Sequence, residues 1–112
     1  MAGVEACEQA LHELAARLAD ADEEHKRKVA VDRTLTCRIT DLNIVYSGHL
    51  IDGELQDIHV VERSDGQLRL TVSSDDLVNL VNGRLNIVSA WASGRVKIEG
   101  RVFDLIKIRS LF

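Results

Sequence analysis

The sequence contains no proline, and its four aromatic residues make up only 4% of 112 residues. The core must therefore be built from aliphatic side chains, and valine, leucine and isoleucine are abundant enough to form one. No apolar run approaches the roughly 20 residues that a membrane-spanning helix needs, so we do not expect a helical membrane protein. Apolar residues at 46% and charged residues at 29% are typical of a globular chain rather than a disordered one.

Cysteine is also scarce. Cys7 and Cys37 form neither a C-x-x-C pair nor a zinc-ligand spacing. The first residues, Met1 to Glu5, lack the basic and apolar segments of a secretory signal. Two thiols in such a chain suggest a reducing compartment, and we therefore expect a cytoplasmic protein.

A pronounced basic face is missing as well. The formal net charge of −4 divides into −6 in residues 1–74 and +2 in residues 75–112. The densest basic run, Lys26–Lys28, follows four acidic residues that offset its field. Nucleic-acid binders usually carry a basic patch or stripe, so we expect no nucleic-acid partner. We also expect at most transient contact with a membrane.

The chain length fits one domain over residues 1–112. Apolar side chains in residues 4–19 recur at spacings of three and four, which predicts an N-terminal helix within residues 1–19. Residues 20–33 are charged and lack a sustained apolar stripe, so they are interpreted as a linker or as a frayed extension of that helix. Residues 34–112 are predicted to form a core of sheet and helices.

Four strands are predicted next, because the spacing of apolar residues changes to two. Residues 34–40 alternate clearly, and the run Ile44–Ile51 ends at an Asp-Gly turn signal. Ile58–Glu62 and residues 67–73 are predicted as the third and fourth strands, joined as a hairpin by a tight turn at Ser64–Gly66. Successive strands with short turns favour an antiparallel meander.

Helical signals return after the fourth strand. The run Ser73–Asp76 predicts a capped helix start, and Asn82-Gly83 predicts the end of that helix. A short helix over residues 85–93, a strand at Val96–Glu99 and a last helix at Phe103–Phe112 follow. Segregated strands and helices predict an α+β fold, with a five-stranded, mainly antiparallel sheet covered by helices.

The C-terminal third resembles the sterol-carrier-protein-2-like domain family. The motifs that carry the resemblance are an acid-rich helix start, a Gly-Arg-Leu step, an Ala-Trp pair, the strand Gly-Arg-Val-Lys-Ile-Glu-Gly, and a final Lys- and aliphatic-rich segment ending in Leu-Phe. They stand in this sequence at Asp75–Leu77, Leu80–Asn86, Ala90–Gly100 and Ile106–Phe112. No single motif is specific, but their order and spacing together are.

The resemblance implies an apolar cleft or tunnel between sheet and helices. It also implies non-enzymatic binding or carriage of an apolar, lipid-like ligand, such as a fatty acid, an acyl-CoA or a sterol, without a cofactor. Because aliphatic stripes on helices usually pack a core, an ordinary core position is the simpler role for each side chain that could line this cavity. The residues predicted to line the cavity are Leu77, Leu80, Val81, Ile87, Trp91, Ile98, Phe103, Ile106 and Ile108.

A ligand with an anionic head group would need a cation or free amide groups at the cavity mouth. Arg84, Arg95 and Lys97 are the nearest cations along the sequence. The amides of Ser74–Leu77 could also bind an anion, as helix starts do. A solvated surface position is the simpler role for each cation, and a serine cap is the simpler partner of the amides.

No group of residues predicts an enzyme or a metal site. The sequence contains no phosphate-binding loop, nucleophile elbow or dinucleotide fingerprint. Cys37 alternates with apolar residues and is interpreted as part of the core. His49 and His59 would face each other if Leu50 paired with Ile58, but two histidines alone make a poor zinc site.

The main alternative is an interaction module. A degenerate domain of this family could bury its apolar cleft against a second copy and form a homodimer without a bound lipid. The charged linker and the amphipathic first helix could supply the contact, since a helix outside the matching region needs a surface to cover.

Overall fold

The protein has the predicted α+β fold in a computed structural model that describes residues 2–28 and 32–101. Four helices and five strands follow one another in these residues. None of these helices has the length and apolar character needed to cross a membrane. The elements are α1 (Val4–Asp20), α2 (Glu23–Lys28), β1 (Arg33–Ile39), β2 (Ile44–Ile51), β3 (Glu54–Val61), β4 (Leu68–Val72), α3 (Ser74–Val81), α4 (Ile87–Ala92) and β5 (Lys97–Glu99).

The helix predicted at residues 4–19 is confirmed and continues to Asp20. Val4, which the apolar spacing includes in the stripe, is 41% exposed. Full burial of a leucine contributes about 1.5–3 kcal/mol, so the stripe fixes α1 firmly to the core. The charged stretch after Ala21 contains the short helix α2 and is therefore not a plain linker. The buried residues of α1 are Cys7, Ala10, Leu11, Leu14 and Leu18.

The five strands form one mixed sheet in the order β3-β2-β1-β4-β5. β2 pairs antiparallel with β1 and β3, and β5 pairs antiparallel with β4. Asp52 and Gly53 form the turn between β2 and β3 at φ values of 54° and 76°, as the Asp-Gly signal predicts. β3 begins at Glu54, earlier than the predicted start at Ile58.

The predicted hairpin between the third and fourth strands is wrong, and so is the meander through all four strands. β4 pairs parallel with β1, with Leu35 opposite Leu68 and Ile39 opposite Val72. Residues 62–67 carry the chain from the edge strand β3 past β2 and β1. Side chains alternate with a period of two in parallel and antiparallel strands alike, so the apolar pattern could not reveal this crossing.

Gly66 marks the place where the crossing segment approaches β1 most closely. A Cβ atom at Gly66 would lie 2.9 Å from the backbone nitrogen of Thr36 and 3.1 Å from the carbonyl oxygen of Thr34. The Gly66 amide donates a hydrogen bond to the Thr36 hydroxyl at 3.2 Å, and the Ser64 hydroxyl lies 3.1 Å from the same oxygen. Glycine is required here because only a residue without a side chain lets the two backbones lie this close.

The core lies on one face of the sheet, where α1 packs. The strand alternation places an apolar row on that face, and the parallel pairing of β1 with β4 continues the row across the sheet. The predicted fifth strand is confirmed at Lys97–Glu99, while the predicted helix at Phe103–Phe112 lies outside the described residues. The buried row consists of Leu35, Cys37, Ile39, Leu68, Leu70, Val72 and Ile98.

Candidate binding cleft

A half-open cleft of about 370 Å³ lies where α3 ends and α4 begins. Two of its walls are leucine and isoleucine side chains at the helix ends, and the connecting residues supply the rest. Leu80 and Ile87 are 4% and 6% exposed, so most of each side chain belongs to the core and only an edge faces the cleft. The lining residues are Leu80, Gly83, Arg84, Leu85, Asn86 and Ile87.

The local sequence explains why the chain opens at this point. α3 begins at a Ser73 cap, whose hydroxyl accepts a hydrogen bond from the Asp76 amide at 3.2 Å. It ends before Gly83, which lies at a φ of 76° in the left-handed region that favours glycine. α4 starts again at once, because the Asn86 side chain accepts hydrogen bonds from the Val88 and Ser89 amides at 2.9 and 3.1 Å. The predicted starts and stops of both helices are thus confirmed to within two residues.

Two contacts from the N-terminal region hold α3 at its ends. The Ala2 amide donates a hydrogen bond to Asp75 Oδ1 at 2.6 Å, at the start of α3. Arg17 Nη1 donates a hydrogen bond to the Val81 carbonyl oxygen, at the end of α3. α1 and α3 therefore run side by side in the same direction, and the helix that forms one wall of the cleft is fixed by α1.

The sequence matches the model of the SCP-2 sterol transfer family over residues 11–112. The chain belongs to this family. It thereby belongs to a family of lipid-transfer domains that are generally non-enzymatic. No curated protein matches the sequence significantly.

Solved structures show the same fold at low sequence identity. The sterol carrier protein 2 like 2 of Aedes aegypti is 16% identical, with a TM-score of 0.72 and coverage of 98% of this chain and 100% of that chain. A palmitated form of that protein, solved by NMR, is 18% identical, with a TM-score of 0.69 and coverage of 98% and 94%. A sec-alkylsulfatase from Pseudomonas sp. is 24% identical, with a TM-score of 0.65, and the match covers 88% of this chain but 15% of the enzyme.

The cavity residues predicted from the family resemblance occupy three kinds of position. Leu80 and Ile87 line the cleft, whereas Leu77, Val81 and Ile98 are buried in the core at 0%, 1% and 6% exposure. Those three stay predictions as ligand contacts.

Of the remaining predicted cavity residues, Trp91 is described by the structure and does not line the cleft. Trp91 lies on α4, one turn after Ile87, and is 36% exposed. Phe103, Ile106 and Ile108 lie outside the described residues. As ligand contacts, all four stay predictions.

Sequence reasoning missed the connecting residues of the cleft wall. Gly83, Leu85 and Asn86 line it together with the two helix ends. A signal for them existed, because a helix stop at Asn82-Gly83 followed at once by a second cap at Asn86 requires an open corner between two short helices. That corner exposes backbone and side chains that a continuous helix would have covered.

A smaller, apolar space of about 20 Å³ lies under α1. Burial raises the pKa of the Cys37 thiol to about 12, and the Cys7 thiol nearby adds to the effect. Burial and a 3.1 Å hydrogen bond to Glu8 raise the pKa of Tyr46 to about 12. Cys37 is thus a protonated core residue, as its alternation indicates. The space is lined by Leu11, Leu35, Cys37, Tyr46, Ser47, Gly48, Leu55 and Ile58.

The predicted juxtaposition of two histidines is wrong. His49 lies opposite Gln56 and His59 lies opposite Ser47, and the register of β2 and β3 shifts by one residue between Ser47 and His49. Asp57 in β3 adopts a φ of 57°, as the extra residue of a bulge does. Within residues 2–28 and 32–101, no three His, Cys, Asp or Glu side chains come together in a way that could hold a metal ion.

Proposed function

We propose that the protein binds and carries a lipid-like molecule with a long apolar part, without enzymatic activity, in the cleft between α3 and α4. The observation that carries the proposal is the cleft of about 370 Å³, which falls within the ~300–1,000 Å³ range of ligand pockets. Fatty acid, acyl-CoA and sterol are the candidate ligand classes. Family membership supports lipid binding in general and leaves the choice among them to experiment.

The half-open cleft holds solvent when no ligand is bound, so the free energy of binding depends on the apolar surface that a ligand removes from water. Each methylene group that leaves water contributes about 0.8 kcal/mol, while association costs about 4–15 kcal/mol. We expect weak to moderate affinity and little discrimination between apolar chains.

A relative of the same fold supports a long-chain ligand. The sterol carrier protein 2 like 2 of Aedes aegypti was solved in a palmitated form, and its fold matches this chain with a TM-score of 0.69. We further propose a cytoplasmic location. The two free and buried thiols, Cys7 and Cys37, suit the reducing environment of that compartment, and subcellular fractionation would test it.

Native extraction tests the carrier hypothesis directly. The purified protein is extracted with organic solvent, the extract is analysed by mass spectrometry, and the mass of the native particle is measured beside it. A lipid in stoichiometric amount supports the proposal. A lipid-free protein that also fails to take up Nile red or a fluorescent fatty acid would reject it.

A matched pair of variants localises the site. Leu85 is half-buried and lines the cleft, whereas Val88 is 45% exposed on α4 and lies outside the lining set. Leu85→Asn should weaken ligand uptake because it places an amide in the apolar wall. Val88→Asn makes the same chemical change and should leave uptake unaltered.

One observation favours the homodimer as a second candidate function. Val88 and Trp91 are exposed at neighbouring positions of α4, spaced three residues apart, where an apolar surface could meet a second copy or touch a membrane briefly. If the protein is instead a homodimer without a bound lipid, Val88→Asn should separate the dimer into monomers, and the unmodified protein should take up no lipid. The same two variants therefore separate the hypotheses. The carrier hypothesis expects Leu85→Asn to weaken lipid uptake, and the dimer hypothesis expects Val88→Asn to lower the mass of the native particle.

A further inference from the structure

Of the three cations that the sequence places nearest the cleft, Arg95 and Lys97 are already paired. Arg95 Nη2 lies 2.6 Å from Asp76 Oδ1, whose side chain is only 12% exposed. Lys97 Nζ lies 3.6 Å from Glu99 Oε1 on the same strand. Neither Arg95 nor Lys97 lines the cleft. Both positive charges are therefore directed to acidic side chains of the protein itself.

Arg84 differs from the other two in position and in partners. It lines the cleft beside Leu80 and Ile87. Across the described ranges 2–28 and 32–101, no carboxylate makes a hydrogen bond or ion pair with the Arg84 side chain. Arg84 is therefore an exposed residue of the cleft wall without an internal counter-ion among the described residues.

The end of α3 does not need the Arg84 side chain either. The last carbonyl groups of a helix often attract a cationic side chain, which would give Arg84 a purely structural role. Here those groups accept other donors. The Asn79 oxygen accepts the Arg84 and Leu85 amides at 2.8 and 3.2 Å, and the Val81 oxygen accepts Arg17. The Val78 and Leu80 oxygens accept the next backbone amides at 3.0 and 3.3 Å.

We propose that Arg84 is the head-group residue of the cleft, and that the ligand is a single-chain amphiphile ending in an anionic oxygen group. This inference rests on the proposed function and adds the charge of the ligand to it. A guanidinium presents a planar fork of donors that matches a carboxylate or a phosphate, and these charge-assisted hydrogen bonds are the strong ones. Leu80 and Ile87, on the two helix ends, meet the apolar chain while Arg84 binds its end.

The test compares three ligands that share one twelve-carbon chain: dodecanoate, dodecyl phosphate and dodecan-1-ol. Each is titrated by displacement of the uncharged dye Nile red from the full chain at neutral pH. The variants are Arg84→Gln and, as a control that removes the same charge outside the cleft, Lys97→Gln. Circular dichroism verifies that each variant is folded.

The expected result is selective for both residue and ligand. Arg84→Gln should weaken the anionic ligands by about tenfold, the loss of a charged hydrogen bond, and leave dodecan-1-ol unchanged. Lys97→Gln should change none of the three, and the comparison of dodecanoate with dodecyl phosphate shows which head group is preferred.

Other outcomes overturn the inference in distinguishable ways. If Arg84→Gln weakened the binding of all three ligands equally, or of none, Arg84 would not bind the head group. The proposed carrier function would still stand. If Lys97→Gln had the same effect as Arg84→Gln, the general field of the domain would be responsible. If the unmodified protein bound none of the ligands, the proposed function itself would fail.

Discussion

The space under α1 is about 20 Å³ and has an almost wholly apolar wall, whereas the cleft between α3 and α4 is about 370 Å³ and has a wall that is both polar and apolar. α1 has 17 residues and lies along the sheet with an unbroken apolar stripe. α3 and α4 have eight and six residues and meet at a corner fixed by Gly83 and Asn86. A long helix with an apolar stripe therefore leaves little space against the sheet, whereas the break between two short helices opens a larger and more polar cleft.

The largest expected effect is on the free energy of unfolding, at the packed core under α1. Leu11→Ala should lower the free energy of unfolding by about 2–5 kcal/mol, because the vacated volume lies in a closed core that relaxes only in part. Leu85→Ala, at the open cleft, should cost about 1 kcal/mol or less, since solvent can enter. Urea unfolding monitored by circular dichroism measures both. Equal losses of unfolding free energy in the two variants would contradict a difference in packing between the core under α1 and the α3–α4 cleft.

The next effect is on ligand uptake at the open side. Leu80→Arg should abolish uptake of a fluorescent fatty acid, or weaken it by at least about tenfold, because it places a charge in the apolar wall. Asn79→Arg adds the same charge to α3 outside the lining set and should leave uptake intact. Trp91 fluorescence, from the only tryptophan, should shift on ligand addition in the unmodified protein. Normal binding by a folded Leu80→Arg protein would disprove the cleft assignment.

A smaller effect concerns the contact that connects the two regions. Arg17→Met keeps most of the side-chain stem but removes the hydrogen bond to the Val81 oxygen, and should cost about 1 kcal/mol of stability. Hydrogen exchange should increase at the end of α3 and remain unchanged in β2 and β3. Arg17→Lys, which retains a donor, should recover part of the loss. Uniform exchange across the protein would show that Arg17 does not fix α3 specifically.

The smallest effect is electrostatic and lies under α1. The raised pKa of Tyr46 means that the fold favours the neutral phenol. This stabilisation is complete below the unfolded pKa of 10.0 and is lost as the pH rises through about 12. Tyrosinate absorbance should be mostly absent at pH 11 in the folded protein and half-complete near pH 10 in urea. Glu8→Gln should lower the pKa of Tyr46 but leave it above its ordinary value, because burial is the first cause of the shift and Glu8 the next.

A folded-state titration of Tyr46 near pH 10 would contradict the burial of its side chain under α1. The measurement is unambiguous because Tyr46 is the only tyrosine in the sequence.

The sequence was sufficient to predict the elements but not all of their partners. Asp52-Gly53, Ser73 and Asn82-Gly83 act through local geometry, so the turn and the helix ends could be read directly. The parallel pairing of β1 with β4 depends on contacts between distant segments. Gly66 looked like a turn residue because glycine serves turns and close backbone approaches equally well.

The candidate site was predictable only in part for a similar reason. Leu80 and Ile87 were identified from the family motifs, but the same motifs include the buried Leu77 and Val81. An apolar side chain one turn away on the same short helix has the same sequence signature whether it faces a ligand or the core. Arg84 differs from Arg95 and Lys97 in lining the cleft and in having no ion pair, and neither feature has a signature in sequence.

The parallel ladder between β1 and β4 has a consequence for the order of folding. It joins Leu35 to Leu68, 33 positions apart along the chain, whereas β1 pairs with β2, and β2 with β3, through short connections. Loop closure must precede contacts between distant segments, which slows their formation. We expect β1, β2 and β3 to associate first and the ladder to close afterwards. The α3–α4 corner can then take its final form only in the last stage of folding, once β4 has brought it to the sheet.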